Sequence, residues 1–336
     1  MSLPFSPPLK PMLAKSEPDV PRGPRWRYEP KWDGFRAVVF RDGDDVHIGS
    51  RGERPLHRYF PELVEALRKA LPAGVVTDGE IVVPVEGRIA FDSLQLRIHP
   101  ADSRVRMLAE EIPATYVAFD LLAEDGRDLR GEPLAERWKR LTKALRKRPS
   151  TLERVLEPGP AVLLTPLSRD PEQAERWVAE LEAAGLDGVV AKREDQPYRP
   201  GRREWVKVKR KMTADCVVAG YRLSKTGDGV GSLLLGLHEP DGTLRFVGFT
   251  SSFRAKERRD LLTLVKPHEG GGGFDLGPGG VSRWRQEEHE FVSLDPVLVC
   301  EVAYDHVTAG RFRHGSTFIR WRDDKSPAEC TTDQMV

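Results

Sequence analysis

Apolar residues recur at the spacing of an amphipathic helix in three segments, which predicts helices there. The segments are residues 60–71, 134–145 and 174–181, and a fourth helix is predicted near residues 255–264. Pro61 falls in the first turn of the first helix, where proline is tolerated. Gly185 is expected to stop the third helix, because glycine favours helix ends.

Short β-prone runs precede, separate and follow the first three helices. The runs 35–40 and 46–48 flank Asp42-Gly43-Asp44 and predict a hairpin. Further strands are predicted at residues 75–83, 115–122, 162–164, 188–192 and 205–209. Strands and helices interleave without a strict βαβ rhythm, so we predict an α/β domain of mixed, largely antiparallel sheets that ends near Met212.

The pattern becomes β-rich after that point. Strands are predicted at residues 216–221, 232–237, 244–249 and 297–304. With the helix at 255–264 they fit a small β-barrel, and the oligonucleotide-binding (OB) fold is the natural candidate. We expect the glycine-rich stretch 270–280 to be a flexible surface loop. The proline-rich residues 1–24 are expected to form an extended strap over the surface.

These patterns divide the 336 residues into a strap (1–24), an α/β domain (25–212) and a barrel (213–336).

Hydrophobic residues make up 39% and charged residues 31% of the chain, and no apolar run approaches the ~18 residues of a membrane span. The first residues do not read as a secretory signal, so we expect a cytoplasmic protein. Cys216, Cys300 and Cys330 form no CxxC pair, which excludes a four-cysteine zinc finger. Because the net charge is only +1, any attraction to nucleic acid must come from local basic patches.

Seven short motifs contain residues with catalytic or binding potential, and each also has an ordinary structural interpretation. Lys31 and Asp33 could lie in a surface turn, Arg51 could be solvated, and Phe119 could be a core residue. Alternation places Val206 and Val208 on one strand face and Lys207 and Lys209 on the other, where they could also protect a sheet edge. The motifs are EPKWDGFR (29–36), SRG (50–52), TDGEIV (77–82), YVAFDLL (116–122), LDGVVAK (186–192), WVKVK (205–209) and RWRDDK (320–325).

In order and spacing these motifs resemble those of ATP-dependent DNA ligases: K-x-D-G, S-R-x, D-G-E, F-D, E-G-V-V-x-K, W-x-K-x-K and R-x-D-K. The chain is similar to the minimal bacterial ligases of the ligase C type and to the ligase module of bacterial ligase D, over nearly its whole length. One difference is Asp187, which stands where the family pattern has glutamate. Its shorter carboxylate has less reach toward a metal or a lysine.

The resemblance implies that Lys31 attacks the α-phosphate of ATP, becomes a lysyl-AMP adduct and releases pyrophosphate. The amine must be unprotonated to attack, and nearby cations such as Lys207 and Lys209 disfavour its charged form. AMP then passes to the 5′-phosphate of a nick, and the 3′-hydroxyl displaces it. Asp33 is expected to position the surroundings of the nucleophile or to assist the end-joining step.

By the same resemblance, further residues hold ATP. Glu29 and Phe119 belong to the adenosine pocket, where Phe119 stacks on adenine. Arg36 and Glu80 contact the ribose region, and Arg51 receives the 5′-phosphate of the nick. The residues expected to line the phosphate path are Lys192, Lys207 and Lys209. Glu80 and Asp187 are the expected acidic groups nearest Mg²⁺ or Mn²⁺.

The resemblance also implies a mobile barrel. Arg322, Asp324 and Lys325 would orient the leaving pyrophosphate when the barrel closes over the nucleotide. Met212-Thr213-Ala214 would then be the hinge. The early position of Lys31 leaves no room for an N-terminal DNA-binding domain, so we expect weak intrinsic DNA affinity.

The expected partner is nicked double-stranded DNA, which a monomer grips by its phosphates irrespective of sequence. Two basic runs suit this role, although each could also be a solvated face: residues 202–211, with Arg202, Arg203, Lys207, Lys209, Arg210 and Lys211, and residues 254–259, with Arg254, Lys256, Arg258 and Arg259. A repair polymerase or an end-binding protein is a further possible partner, and association with the nucleoid is expected.

Three other functions remain open at this stage. An RNA ligase or a capping nucleotidyltransferase shares the K-x-D-G motif. An inactive nucleic-acid-binding scaffold is the alternative of another class, but all the basic and acidic motif positions are filled. An NAD-dependent ligase is disfavoured, because the zinc-binding cysteines of that family are missing.

Overall fold

The computed structural model describes residues 3–146, 148–210, 212–224, 226–251, 253–275, 291–305, 307–312 and 315–335. The chain divides into two compact units, residues 1–210 and residues 211–336. None of the described helices is long and apolar enough to span a membrane. Arg313, His314, Lys211 and the glycines at 277, 279 and 280 lie outside the described residues.

In the described part of the first unit there are twelve strands and six α-helices. The strands are β1 (Leu13–Ser16), β2 (Trp26–Pro30), β3 (Phe35–Asp42), β4 (Asp45–Ser50), β5 (Val75–Val82), β6 (Pro84–Val85), β7 (Arg88–Ile89), β8 (Thr115–Glu124), β9 (Arg127–Asp128), β10 (Ala161–Leu164), β11 (Val189–Arg193) and β12 (Arg203–Val208). The helices are α1 (Pro61–Ala70), α2 (Phe91–Leu96), α3 (Asp102–Glu111), α4 (Leu134–Leu145), α5 (Leu152–Leu156) and α6 (Pro171–Glu180).

These strands form two main sheets. One has the order β10-β8-β5-β3-β4, with β9 beside β8, and the other has the order β1-β12-β11-β2. Only the β10–β8 and β1–β12 pairs are parallel among the pairs of these two sheets. The predicted hairpin is confirmed as β3 and β4, with Asp42 opposite Asp45 and Gly43 in the left-handed region at φ 54°. The expectation of largely antiparallel sheets is therefore confirmed.

The helices cover the outer faces of these sheets. Leu63 and Leu67 of α1 and Leu141 and Leu145 of α4 pack into one apolar cluster with the first sheet. On the second sheet, Val206 and Val208 lie in a cluster with Ala174 of α6. The face predicted for Val206 and Val208 is therefore confirmed.

Part of the proline-rich strap is a sheet element rather than a surface cover. Residues 13–16 pair in parallel with β12, and Met12 is fully buried between the sheets. Proline spacing excluded helix correctly, but it gave no indication that these residues add a strand to a sheet.

The described residues of the second unit form a five-stranded sheet, a separate two-stranded pair and one α-helix. Its strand order is β15-β14-β13-β16-β19, and every pair in it is antiparallel. Its elements are β13 (Met212–Leu223), β14 (Val230–His238), β15 (Leu244–Thr250), α7 (Ala255–Val265), β16 (Val292–Tyr304), β17 (Val307–Thr308), β18 (Arg311–Phe312) and β19 (Thr317–Trp321).

A parallel bridge between Thr250 and Ser316 joins the two edge strands and closes this sheet. Closure of five strands, with the helix between the third and fourth long strands, is the OB architecture, so that prediction is confirmed. The cysteines Cys216, Cys300 and Cys330 are buried free thiols in its core.

Two expectations concern this region. Met212, Thr213 and Ala214 begin β13 and pair with β16, so their role as a hinge stays a prediction. Within the stretch 270–280, the described glycines Gly270 to Gly273 are held against β16, so this part is not a flexible loop, whereas residues 276–280 lie outside the described residues. The Gly273 N–H donates to the carbonyl of Leu294 (3.2 Å), and a Cβ on Gly271 would lie 2.2 Å from the backbone nitrogen of Asp295.

An ion pair fixes helix α4 on strand β8. Asp120, the acid of the F-D motif, is fully buried and accepts from Nε (2.7 Å) and Nη2 (2.8 Å) of Arg137. Arg137 also donates to the carbonyl of Gln196 (3.1 Å). Asp120 therefore has a structural role.

We predict that Asp120→Ala lowers the free energy of unfolding by about 3–5 kcal/mol, because Arg137 would remain buried without a counter-charge. Glu124→Ala is the matched control, since it removes the part-exposed Glu124–Arg140 pair (2.9 Å) between the same two elements. The control should lose no more than about 1 kcal/mol. Urea denaturation measures both, and equal losses would contradict the assignment.

Candidate active site

Three motif residues meet at one end of the second sheet. Lys31 follows β2, Asp187 precedes β11, and Lys209 follows β12, and these three strands are neighbours. The Nζ of Lys31 donates a hydrogen bond to Oδ2 of Asp187, and the Nζ of Lys209 lies 3.0 Å from the same oxygen. One carboxylate therefore holds two amines from motifs far apart in the sequence.

Backbone pairing explains why the shorter carboxylate reaches these amines. The Lys31 N–H donates to the carbonyl of Gly188 (2.8 Å), and the Asp187 N–H donates to the carbonyl of Lys31 (3.1 Å). Gly188 has φ +110°, and a Cβ there would lie 2.1 Å from the carbonyl oxygen of Val208. Only glycine allows this close approach, so the D-G pair serves the site through its backbone as well as its charge.

The glycine of K-x-D-G is required for a similar reason. A Cβ on Gly34 would lie 2.2 Å from the carbonyl oxygen of Ile81 in β5. Gly34 therefore lets the segment that follows Lys31 pass close to β5, where Glu80 lies opposite Arg36. Asp33 is half-buried in this segment.

A second charged group lies deeper between the sheets. The Nζ of Lys192 donates to Oε2 of Glu29 (2.6 Å), and Arg27 donates to Oε1 of the same carboxylate (2.8 Å). All three side chains are almost fully buried. Burial lowers the pKa of Lys192 to about 8, although Glu29 opposes the shift. Glu29 and Lys192, which were expected near adenosine and the phosphates, are thus direct partners.

Aromatic rings surround this charged group. Phe119 and Trp205 meet edge to face with ring centroids 5.9 Å apart. The Nζ of Lys192 lies 4.0 Å from the Phe119 centroid, and the guanidinium of Arg36 lies 4.6 Å from it. Phe119 is only 5% exposed, so it belongs to the core between the sheets and also borders the charged residues.

Arg36 is held by a carboxylate that sequence reasoning did not single out. Its Nε and Nη2 each donate to Asp78 (both 2.6 Å), and the hydroxyl of Tyr198 donates to Oδ2 of Asp78 (2.7 Å). Asp78 is the first residue of the D-G-E motif, and this position is the signal in the sequence that could have identified it. The partner Tyr198 belongs to no motif.

Glu80 lies opposite Arg36 and Val117 in the middle of the first sheet. Burial raises its pKa to about 7, although the charges of Arg36 and Lys31 oppose the shift. A carboxyl group whose pKa is raised by burial beside charged partners is a functional candidate.

The remaining predicted residues of the first unit lie at its surface or along β12. Arg51 is exposed in the loop after β4, where the Ser50 hydroxyl accepts from the Arg54 N–H (2.9 Å). Lys207 is half-buried and pairs with Val190, which is opposite Glu29. The structure therefore brings together Lys31, Asp187 and Lys209 in one group and Glu29, Lys192, Phe119 and Arg36 in another.

The last motif is organised within the second unit. Arg322 donates through Nη1 to both oxygens of Asp215 (2.8 and 2.9 Å) and through Nε to Asp324 (2.8 Å). Lys325 donates to Oδ2 of Asp215 (2.7 Å). Asp215, on β13, is a partner that no motif in the sequence indicated.

A metal ion at this site would need ligands from a nucleotide as well as from the protein. Among the residues described by the structure, no three His, Cys, Asp or Glu side chains lie close enough to hold a metal on their own. Mg²⁺ is commonly bound through one or two carboxylates together with substrate phosphates. Glu80 and Asp187 are the two carboxylates that the resemblance assigns to such an ion.

Comparison with known proteins gives two family matches. A model for the ATP dependent DNA ligase domain matches residues 11–209, and a model for the ATP dependent DNA ligase C terminal region matches residues 226–325. DNA ligase C1 of Mycolicibacterium smegmatis is 48% identical, over 100% of this chain and 96% of that protein.

Two further relatives are informative. The multifunctional non-homologous end joining DNA repair protein LigD of Mycobacterium tuberculosis is 33% identical over 91% of this chain and 37% of that protein. A solved structure from an analysis of Lig E DNA ligases is similar with a TM-score of 0.57 at 16% identity, covering 93% of this chain and 99% of that one. The last likeness concerns the fold alone.

We predict that Glu80→Gln changes the pH dependence of stability. The pKa of Glu80 is raised on folding, so its contribution to stability is complete below its unfolded pKa near 4.5 and is lost as pH rises through about 7. Glutamine cannot ionise, so the stability of the variant relative to wild type should increase by about 1–3 kcal/mol between pH 4.5 and pH 8.

Chemical denaturation at the two pH values measures this difference. Glu110→Gln, at an exposed site on α3, is the control and should show no such increase. A pH-independent difference for Glu80→Gln would contradict the assignment.

Proposed function

Because the chain belongs to the ATP-dependent DNA ligase family, we propose that it seals nicks in duplex DNA during repair, through AMP bound covalently to Lys31. The observation that best supports this proposal is the shared carboxylate of Asp187. It holds the K-x-D-G lysine beside a lysine of the W-x-K-x-K motif, at the end of three adjacent strands.

In the first step, the unprotonated Nζ of Lys31 attacks the α-phosphorus of ATP. An N–P bond forms, the P–O bond to the β-phosphate breaks, and pyrophosphate leaves. Asp187 fixes the position of the amine, and Lys209 adds positive charge where phosphate charge develops. Nζ loses one proton to solvent before it attacks, because only the neutral amine is nucleophilic, and it loses a second proton to solvent as the phosphoramidate forms.

The buried groups between the two sheets bind the nucleotide in this proposal. Glu29 and Phe119 hold the adenosine, with Phe119 as the stacking ring, and Arg36 and Glu80 act near the ribose. Lys192 and Lys207 line the path of the phosphates. Arg322, Asp324 and Lys325 of the second unit act on the leaving pyrophosphate.

Two further steps join the DNA. An oxygen of the 5′-phosphate, which Arg51 receives, attacks the phosphorus of AMP, so that a P–O–P bond forms, the N–P bond to Lys31 breaks and the amine leaves with a proton from solvent. Asp33 assists this or the final step. The 3′-hydroxyl then attacks that phosphorus, a phosphodiester forms, and AMP leaves. A Mg²⁺ or Mn²⁺ ion held by Glu80 and Asp187 would neutralise charge on the phosphoryl oxygens.

DNA is bound through its phosphates in this proposal. Arg254, Lys256 and Arg259 are exposed around the start of α7, whereas Arg210 of the other basic run is paired with Glu182 (2.7 Å). The two basic runs are local patches on a chain with a net charge of only +1, so we infer weak intrinsic affinity. A cytoplasmic, nucleoid-associated monomer that works with a repair polymerase or an end-binding protein would suit this function.

We predict that the purified chain gains the mass of one AMP when it is incubated with ATP and a divalent ion. Lys31→Ala should gain none, because the attacking amine is absent. Lys69→Ala, on the surface helix α1, is the matched control and should react like wild type. Intact-protein mass spectrometry measures the adduct.

Incubation with GTP in place of ATP distinguishes the other nucleotidyltransferases. Attachment of GMP would indicate a capping-type enzyme. Attachment of AMP followed by sealing of RNA but not DNA nicks would indicate an RNA ligase. Absence of any adduct would contradict the proposed function.

We predict that nick binding weakens steeply with salt and has a dissociation constant above about 1 μM at physiological salt. Lys256→Ala combined with Arg259→Ala should flatten the slope of log affinity against log salt by about 1 to 2, because each phosphate contact contributes about 0.9. Fluorescence anisotropy measures both quantities. Arg154→Ala on α5 is the control, and nanomolar binding at physiological salt would contradict weak intrinsic affinity.

A further inference from the structure

Asp215 binds both cations of the last motif. Its carboxylate accepts from Nη1 of Arg322 at 2.8 and 2.9 Å and from Nζ of Lys325 at 2.7 Å. Asp215 lies on β13, about a hundred residues before these partners, and belongs to none of the seven motifs. Two residues that meet the pyrophosphate in the proposed function are therefore joined by a third.

The Asp215 carboxylate is itself held in place. The residue is 8% exposed and pairs with Glu301 across β13 and β16. Its N–H donates to Oε1 of Gln334 (2.9 Å), and its carbonyl accepts from Nε2 of the same side chain (3.1 Å). The strand and the Gln334 amide thus fix the backbone from which the carboxylate projects.

Arg322 is oriented by two carboxylates at once. Asp324 accepts from Nε (2.8 Å) and Nη2 (3.0 Å), while Asp215 takes Nη1. These bonds leave an N–H of Nη2 and two N–H groups of Lys325 for other acceptors. The side chains of Arg322 and Lys325 are 18% and 22% exposed, so these donors can meet an anion from solvent.

Arg322 and Lys325 need a negative group between them, and Asp215 supplies it. A guanidinium and an ammonium that lie next to each other repel, and the repulsion grows as water is excluded. A carboxylate between them offsets it and keeps the two cations at one spacing. Its hydrogen bond raises the pKa of Lys325, which keeps the amine charged for an anionic partner.

We propose that Asp215 is a positioning residue for the first step, which sets Arg322 and Lys325 as a cation pair for the leaving pyrophosphate. The inference rests on the proposed function. It predicts an effect limited to one step, because pyrophosphate leaves only when AMP is attached to Lys31. Sealing of a nick that already has AMP on its 5′-phosphate releases no pyrophosphate.

The test compares these two steps in single-turnover experiments. Asp215→Asn should slow attachment of AMP to Lys31 by about 10- to 100-fold at saturating ATP, while sealing of a pre-adenylated nick stays within about twofold of wild type. Asp215→Glu keeps the charge and should recover a large part of the rate. Glu301→Gln, which removes the carboxylate opposite Asp215 and its bond to Arg320 (2.8 Å), is the matched control and should leave both rates unchanged.

Two results would overturn the inference. Equal slowing of both steps would show that Asp215 only supports the barrel, and an unchanged rate of AMP attachment would show that it has no part in the first step. If Asp215→Asn does not fold, Asp215→Ser, which also removes the charge, is read by the same comparison of the two steps. Failure of wild type to attach AMP to Lys31 would instead contradict the proposed function.

Discussion

The candidate site depends on one carboxylate that is shared by two amines. Asp187 accepts from Lys31 and also contacts Lys209, and it does so from a backbone position set by neighbouring strands. Gly188 allows that position because a side chain there would collide with the backbone of β12. The position of the Lys31 amine is therefore a consequence of sheet register. The aspartate side chain is long enough to reach this amine because the backbone brings the two residues close together.

The same principle applies deeper between the sheets. Glu29 joins Lys192 to Arg27, and Asp78 joins Arg36 to Tyr198. Removing charges from water costs several kcal/mol per ion, and only close partners offset this. Such pairs hold polar side chains in fixed directions before any ligand arrives, which is what binding a nucleotide and stabilising phosphoryl charge require.

Local patterns in the sequence predicted much of this molecule. The α1 and α4 periodicities, the β3–β4 hairpin and the order of the motifs all indicated what the structure contains. Helices α2 and α3 and strand β19 were missed, since each is short or has weak periodicity. The partners Asp215, Arg137 and Tyr198 were missed for another reason: each acts across a long sequence separation, which no local spacing reveals. Asp187 shows most clearly what the sequence could not predict. Its short side chain suggested that it would not reach a lysine, and only the backbone pairing shows that it does.

The most direct measurement of the central claim is the single-turnover rate of AMP attachment to Lys31 in two variants of Asp187. Asp187→Asn removes the charge and keeps the shape, so attachment should slow by at least about 100-fold. Asp187→Glu restores the residue that stands in the family pattern and should remain active. Attachment by Asp187→Asn at the wild-type rate would contradict the claim that this carboxylate sets the amine for attack.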